Sequence, residues 1–344
     1  MAIGTIGIIA NPASGKDVRR LVARASVFDN QEKQAIVRRA LSGIAAAAGR
    51  RCRIAYFDDL HGITRRALEE TGTGMTAEAV SATRTASAMD TVSAARAMQA
   101  MGCSVVLTLG GDGTNRAVCG GWQNAPLIAI STGTNNVFPS LLEATVAGAA
   151  AGLIGSGQVC LDEVAEQRKR IHVEVDGQGD DLALIDAVLS SERFLGSRAL
   201  LEPDALRTVL LTRADPAAVG MTALGGLLHP LSDSRDAGLL VQLAPGSDSV
   251  NVPIAPGYYR PVSIASLREV GLAETVTVAG PGVLAFDGER ERELKPGQRA
   301  RWRIERTGPR VVDVARALQL AAERGAFRTA ATPPGAGLYA ISDR

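Results

Sequence analysis

Three short stretches of this 344-residue chain carry the residue types that phosphate chemistry requires. The most pointed is Gly110-Gly111-Asp112-Gly113-Thr114, which follows the apolar run Val105-Val106-Leu107-Thr108-Leu109 and precedes a helix expected from Asn115. Without a Cβ, Gly110, Gly111 and Gly113 let backbone amides approach an anion, and a helix start behind them favours negative charge. Asp112 would repel a bound phosphate unless a cation or a transferable proton intervenes. It is therefore assigned to a magnesium ion or to the hydroxyl of an acceptor. In the second stretch, Asn11-Pro12-Ala13-Ser14-Gly15-Lys16, Asn11 and Ser14 offer hydrogen bonds and Lys16 a point charge beside Gly15. A Walker A loop is excluded, because Ala10 and Asp17 stand where that motif needs Gly and Ser or Thr. The third is Ser131-Thr132-Gly133-Thr134-Asn135-Asn136, with a helix expected near Pro139. A fourth, Asp287-Gly288-Glu289, reads in isolation as a hairpin turn leading into the mixed charges of Arg290 to Glu293.

These stretches need strands to place them. Residues 3–10 read as a buried strand, residues 31–48 as a helix stopped by Gly49, and residues 53–57 as a second strand. Asp90 is expected to cap a helix that ends at Gly102, and residues 104–109 and 126–131 complete a series of strands alternating with helices. That alternation predicts a parallel sheet, whose strand ends are where open α/β sheets bind ligands. Beyond about residue 155 the runs 170–176, 206–212, 238–243, 274–279 and 299–305 are short and punctuated by Pro-Gly pairs, which predicts antiparallel β structure. Residues 311–324 read as a helix.

Composition narrows the class. Hydrophobic residues at 46% and charged residues at 21% suit a folded globular chain, and its length suggests two cores. With 37 Lys and Arg against 36 Asp and Glu, and scattered basic pairs, nucleic acid is not an expected partner. Four cysteines without Cys-x-x-Cys spacing and three widely separated histidines indicate neither zinc nor a disulfide framework. Residues 1–10 read as a first strand rather than a signal peptide, and the Ala- and Gly-rich stretch 144–154 is too short to span a bilayer. The expectation is a cytoplasmic homo-oligomer with no integral membrane association.

Together the loops resemble the superfamily of NAD kinases, diacylglycerol kinases and sphingosine kinases, in order along the chain. Asn11 to Gly15 resembles its first nucleotide loop, Gly110 to Thr114 its signature, and Gly133-Thr134-Asn135 its third loop. The openings Ile8 to Lys16 and Val27 to Lys33 are most similar to the acetoin catabolism protein X branch, which is grouped with the ATP-NAD kinases. The resemblance implies an α/β nucleotide domain over residues 1–152, rejoined by 308–344, and a β-sandwich domain over 153–307. It implies ATP and magnesium as cofactors, with Thr114, Asn11 and Asn135 holding the nucleotide. It also implies Asp112 or Glu289 as the general base, with Asp287 and Asp186 near the acceptor. One departure bears on substrate: the Asn that grips a dinucleotide in NAD kinases corresponds to Ile185 in Ala183-Leu184-Ile185-Asp186. An apolar side chain supplies no such hydrogen bonds. NAD, a small hydroxylated metabolite related to acetoin, and a lipid stay open as acceptors, and a non-catalytic nucleotide sensor is the alternative of a different class.

Overall fold

The computed structural model describes residues 4–14, 29–133, 136–191, 203–246 and 248–328. The expected nucleotide-binding residues Gly15, Lys16, Thr134 and Asn135 lie outside these described residues, as do residues 329–344 of the 308–344 segment. The first half is built on parallel strands β1 (Gly4–Ala10), β2 (Cys52–Tyr56), β3 (Ala77–Ala79), β4 (Val105–Gly110) and β5 (Pro126–Ser131). All six residues of β4 and of β5 are buried, as continuous apolar strands covered on both faces must be. The covering helices are α1 (Asn30–Ala48), α2 (Ile63–Thr71), α3 (Ala88–Ala100), α4 (Asp112–Gly121) and α5 (Ala144–Gly155).

The Ala- and Gly-rich stretch finds its purpose in α5. A Cβ on Gly152 would lie 2.9 Å from the Ile44 carbonyl, so only small residues let α5 close on α1. Among the described residues no helix is long and apolar enough to cross a membrane.

After β6 (Ala165–Gln167) the chain turns antiparallel through β7 (Arg170–Val175), β8 (Asp181–Ala183), β9 (Asp186–Ser190), β10 (Leu206–Leu211), α6 (Met221–Leu228), β11 (Ala237–Leu243), β12 (Ser249–Ala255) and β13 (Tyr258–Gly271). It continues through β14 (Thr275–Ala279), β15 (Gly282–Phe286), β16 (Glu289–Leu294) and β17 (Arg299–Glu305). A seven-stranded sheet in the order β12-β13-β11-β10-β9-β15-β16 faces a four-stranded sheet in the order β14-β17-β7-β8. Strand β17 shows why they stack. Its Ala300, Trp302 and Ile304 are buried while the arginines between them reach outward, and the inward set meets Leu210, Leu240 and Phe286 of the other sheet. Finally β18 (Arg310–Val312) and α7 (Val314–Glu323) return to the first half, giving a sheet ordered β3-β2-β1-β4-β5-β18-β6. The fold is thus α/β, with an N-terminal parallel sheet and an antiparallel C-terminal part.

Four local expectations are corrected. The helix expected from Asn115 begins at Asp112, with extended Gly111 as its cap, so Asp112 stands in the first turn where the helix dipole favours an acid. No helix starts near Pro139: Ser131 donates its N–H to the Ser140 carbonyl and Ser140 donates to Ala129, and the next helix waits for its cap at Glu143. Ser87, not Asp90, caps α3, while Asp90 accepts from the amides of Thr85 and Ala86. The segment expected as one helix over 311–324 is a strand as far as Val312, then a helix capped by Asp313.

Candidate functional site

Strands β1, β4 and β5 are parallel neighbours, so their C-terminal ends lie on one edge of the sheet and their loops meet there. The first loop is bonded to the second, Asn11 Nδ2 donating to Thr114 Oγ1 at 2.9 Å. It is bonded to the third through Thr132 Oγ1, which donates to Ser14 Oγ at 3.0 Å. The convergence expected from sequence is therefore physical.

Above this edge lies a cleft of about 840 Å³ between the two halves. The α/β half lines it with Asn11, Ser14, Gly111, Asp112, Gly113 and Thr114, and the β half with Asp186, Asp287, Gly288 and Glu289. Gly110 and Gly133 do not line it. Gly110 ends β4 packed against the Thr114 side chain, and the Gly133 carbonyl accepts from Ser131 Oγ at 2.6 Å.

Asp112 sits deep in this cleft. Its Oδ1 accepts from the amides of Val137 at 3.0 Å and Phe138 at 2.7 Å, while Oδ2 accepts from Val137 at 3.1 Å. Burial pushes its carboxyl up to about 7, helped by the negative Asp287 and opposed by the Phe138 and Val137 amides and by Arg213.

Asp287 and Glu289 do occupy a hairpin turn, between β15 and β16, but the turn is not a surface feature. Asp287 adopts φ 49° and Gly288 φ 78°, the left-handed pair that a two-residue hairpin loop needs. Its carboxylate accepts from the amides of Leu184, Ile185 and Asp186, at 2.7 Å for Ile185. Burial again raises this carboxyl, against the pull of Arg116 and of those amides. Asp186 is pinned opposite, donating its own N–H to Asp287 Oδ1 and accepting from the Asp287 N–H at 3.0 Å. Glu289 reaches over the signature loop: a Cβ on Gly113 would come within 2.5 Å of its Oε1. Glycine at 113 is what lets that carboxylate approach.

Three contributors were not singled out from sequence. Arg116, one helical turn beyond Asp112, pairs with Glu289 at 3.3 Å and with Asp181 at 3.6 Å, tying α4 to the β half. Its i, i+4 relation to Asp112 was the available signal. Arg213 donates to the Val137 carbonyl at 2.7 Å from a distant strand end, and nothing in the sequence pointed to it. Asn136, at the end of the third loop, donates to Ser131 Oγ at 2.7 Å. Ile185 is 2% exposed and packs with Leu184 and Cys119, so its side chain faces the core instead of the cleft.

Among the described residues no group of three or more His, Cys, Asp and Glu is placed to hold a metal. Asp112 is a single carboxylate at the cleft on the signature loop, the kind of ligand that a magnesium ion carried on phosphate oxygens takes.

Residues 6–158 match the ATP-NAD kinase N-terminal domain, and residues 169–307 match the acetoin catabolism protein X C-terminal domain. The chain is 34% identical over 349 residues to acetoin catabolism protein X of Cupriavidus necator, covering 96% of each protein. Among solved structures it resembles yeast NADH kinase complexed with NADH, with a TM-score of 0.55 at 12% identity over 97% of this chain and 91% of that one. It also resembles a Bacillus anthracis protein assigned as a diacylglycerol kinase, with a TM-score of 0.50 at 12% identity over 90% and 97%. At that identity the structural likeness carries the fold alone. The kinase-like nucleotide fold and the near-complete match to a curated relative agree, and the chain belongs to the acetoin catabolism protein X family.

Proposed function

We propose that the chain is an ATP-dependent phosphotransferase that moves the γ-phosphoryl group to a hydroxyl of a small molecule. The observation that carries this is the meeting of three strand-end loops beneath two carboxylates contributed from opposite sides of one cleft. The start of α4, with Gly111 and Gly113 lining the cleft, suits phosphate oxygens, and Thr114 and Asn11 orient the nucleotide. ATP supplies the phosphoryl group, and its magnesium ion neutralises phosphate charge. The protein's share is positioning, charge complementarity and proton removal.

Asp112 takes the acceptor's proton at Oδ2, the oxygen with a single amide donor. A carboxyl near 7 is matched to that task at neutral pH. Glu289, with 49% of its side chain exposed and paired to Arg116, orients the acceptor from the other side. Asp186 and Asp287 hold that side in place.

The inward-facing Ile185 supports a small hydroxylated acceptor, such as a compound of acetoin breakdown, over a dinucleotide. The same reading divides the chain into two domains near residue 152, with β18 and α7 rejoining the first. The test is to incubate the protein with ATP, magnesium and a pool of NAD, acetoin-related hydroxy compounds and diacylglycerol, and to find the phosphorylated product by mass. ATP left intact across the pool would sink the proposal.

A further inference from the structure

Lys33 is 0% exposed, and it lies in the first turn of α1, where a positive charge opposes the helix dipole. Neither helix propensity nor solvation explains a lysine there, and a local rule broken without local gain points to a purpose elsewhere. Its Nζ supplies one. It donates to the carbonyls of Ser14 at 2.6 Å, Asn11 at 3.0 Å and Pro12 at 3.1 Å, and to Asn30 Oδ1 at 3.3 Å. Three carbonyls of one short turn thus converge on a single buried ammonium.

The turn so held is the one that ties the other two loops. Its Asn11 side chain reaches Thr114, and its Ser14 hydroxyl accepts from Thr132. The Asn11–Pro12 peptide carries no N–H and the Ala13 N–H is held by Asn11 Oδ1, so what the lysine fixes is the path of the turn, whose other side faces the cleft. Asn11, Pro12, Ala13 and Ser14 all line the cleft on that side. The ammonium adds its own charge behind them, where low polarity and the absence of water weaken it least.

We infer that Lys33 is the positioning residue of the nucleotide subsite: it shapes the 11–14 turn and sets affinity for a nucleotide's phosphates without touching them. The inference rests on the nucleotide reading of the cleft proposed above. A second lysine provides the control. Lys169 is 1% exposed and likewise donates to three carbonyls, those of Ser232, Arg235 and Ala237, none of which lines the cleft.

The experiment compares Lys33→Met and Lys169→Met with the unaltered protein, reading thermal midpoint and the Kd for ADP with magnesium by calorimetry. Both variants are expected to lose thermal stability. Only Lys33→Met should weaken ADP, by about ten-fold or more, as expected for losing charged hydrogen bonds that shape a site. Equal ADP affinity in Lys33→Met and the unaltered protein, or equal weakening in both variants, overturns the assignment. Should Lys33→Met fail to fold, amine acylation of the unaltered protein decides. ADP is expected to slow labelling of Lys33 by about ten-fold and to leave Lys169 within about two-fold, as local opening of the turn is suppressed by a bound ligand. Labelling of Lys33 that ADP does not change overturns the assignment. If the unaltered protein binds no ADP, the nucleotide reading itself falls and this inference with it. Binding by that protein with an indifferent Lys33 sinks the inference alone.

Discussion

The two walls of the cleft each carry a carboxylate gripped by backbone amides of a neighbouring segment, but they grip it to different ends. On the α/β wall Asp112 draws two amides, from Val137 and Phe138, and leaves Oδ2 with one donor facing the cleft. On the β wall Asp287 draws three, from Leu184, Ile185 and Asp186, and is only 7% exposed. Burial lifts both carboxyls, so depth alone does not separate them. In both, Oδ2 keeps a single amide donor, Val137 for Asp112 and Leu184 for Asp287, so what separates them is the number of amides gathered and how far the group is shielded. A half-buried carboxylate that holds two amides can handle a proton in the cleft, whereas a buried one that gathers three is an anchor for the strand start at Asp186.

The comparison breaks first at Asp112. Asp112→Asn retains an oxygen for both amides but cannot take a proton, so ATP-dependent phosphorylation should fall about 10²- to 10⁴-fold. Its urea midpoint at pH 8 should not drop. Turnover near that of the unaltered protein would remove Asp112 from catalysis.

Asp287→Ala should do the reverse and act on stability. It leaves three buried amides without their acceptor, a loss of roughly 3–5 kcal/mol measurable by urea unfolding. A loss under about 1 kcal/mol would refute the anchor role.

The pH profile sharpens the contrast. If Asp112 must be ionised to act, turnover should rise as pH increases through about 7. Its stability effect has the opposite sign. Between the ordinary value of 3.8 and about 7 the native state holds a proton that the unfolded chain has released. Native stability therefore declines across that window as pH rises, and Asp112→Asn should flatten the decline.

Smaller effects are expected from the outer carboxylate. Glu289→Gln, which keeps the shape and loses the charge, should reduce turnover less than about ten-fold. A loss equal to that of Asp112→Asn would transfer the base to Glu289. Gly113→Ala should change stability by less than about 1 kcal/mol, since helix propensity gains while the tip of Glu289 must move. Its turnover should track that of Glu289→Gln.

Much of this was legible along the chain because it is local. Continuous apolar runs ending in Gly-rich turns announced β4 and β5, and alternation of apolar and charged residues announced β17. Local signals misled where a tertiary partner claimed the backbone. The bridge between Ile130 and Ser140 displaced the helix expected at Pro139, and β5 drew residues 310–312 into a strand. Asp287-Gly288 was correctly legible as a hairpin turn, yet its burial was not, because the amides that receive Asp287 are about a hundred residues away in sequence.

By itself the sequence determined which residues could meet phosphate: the types and spacings in Asn11 to Lys16, Gly110 to Thr114 and Ser131 to Asn136 are chemical facts that need no fold. Tertiary structure alone decided which of them share a cleft, that Gly113 must lack a side chain for Glu289 to approach, and that Lys33 lies beneath the first loop. The physical reason is reach. Side-chain periodicity and turn chemistry act over a few residues, whereas desolvation, amide donation and ion pairing depend on whatever the folded chain brings within about 3 Å.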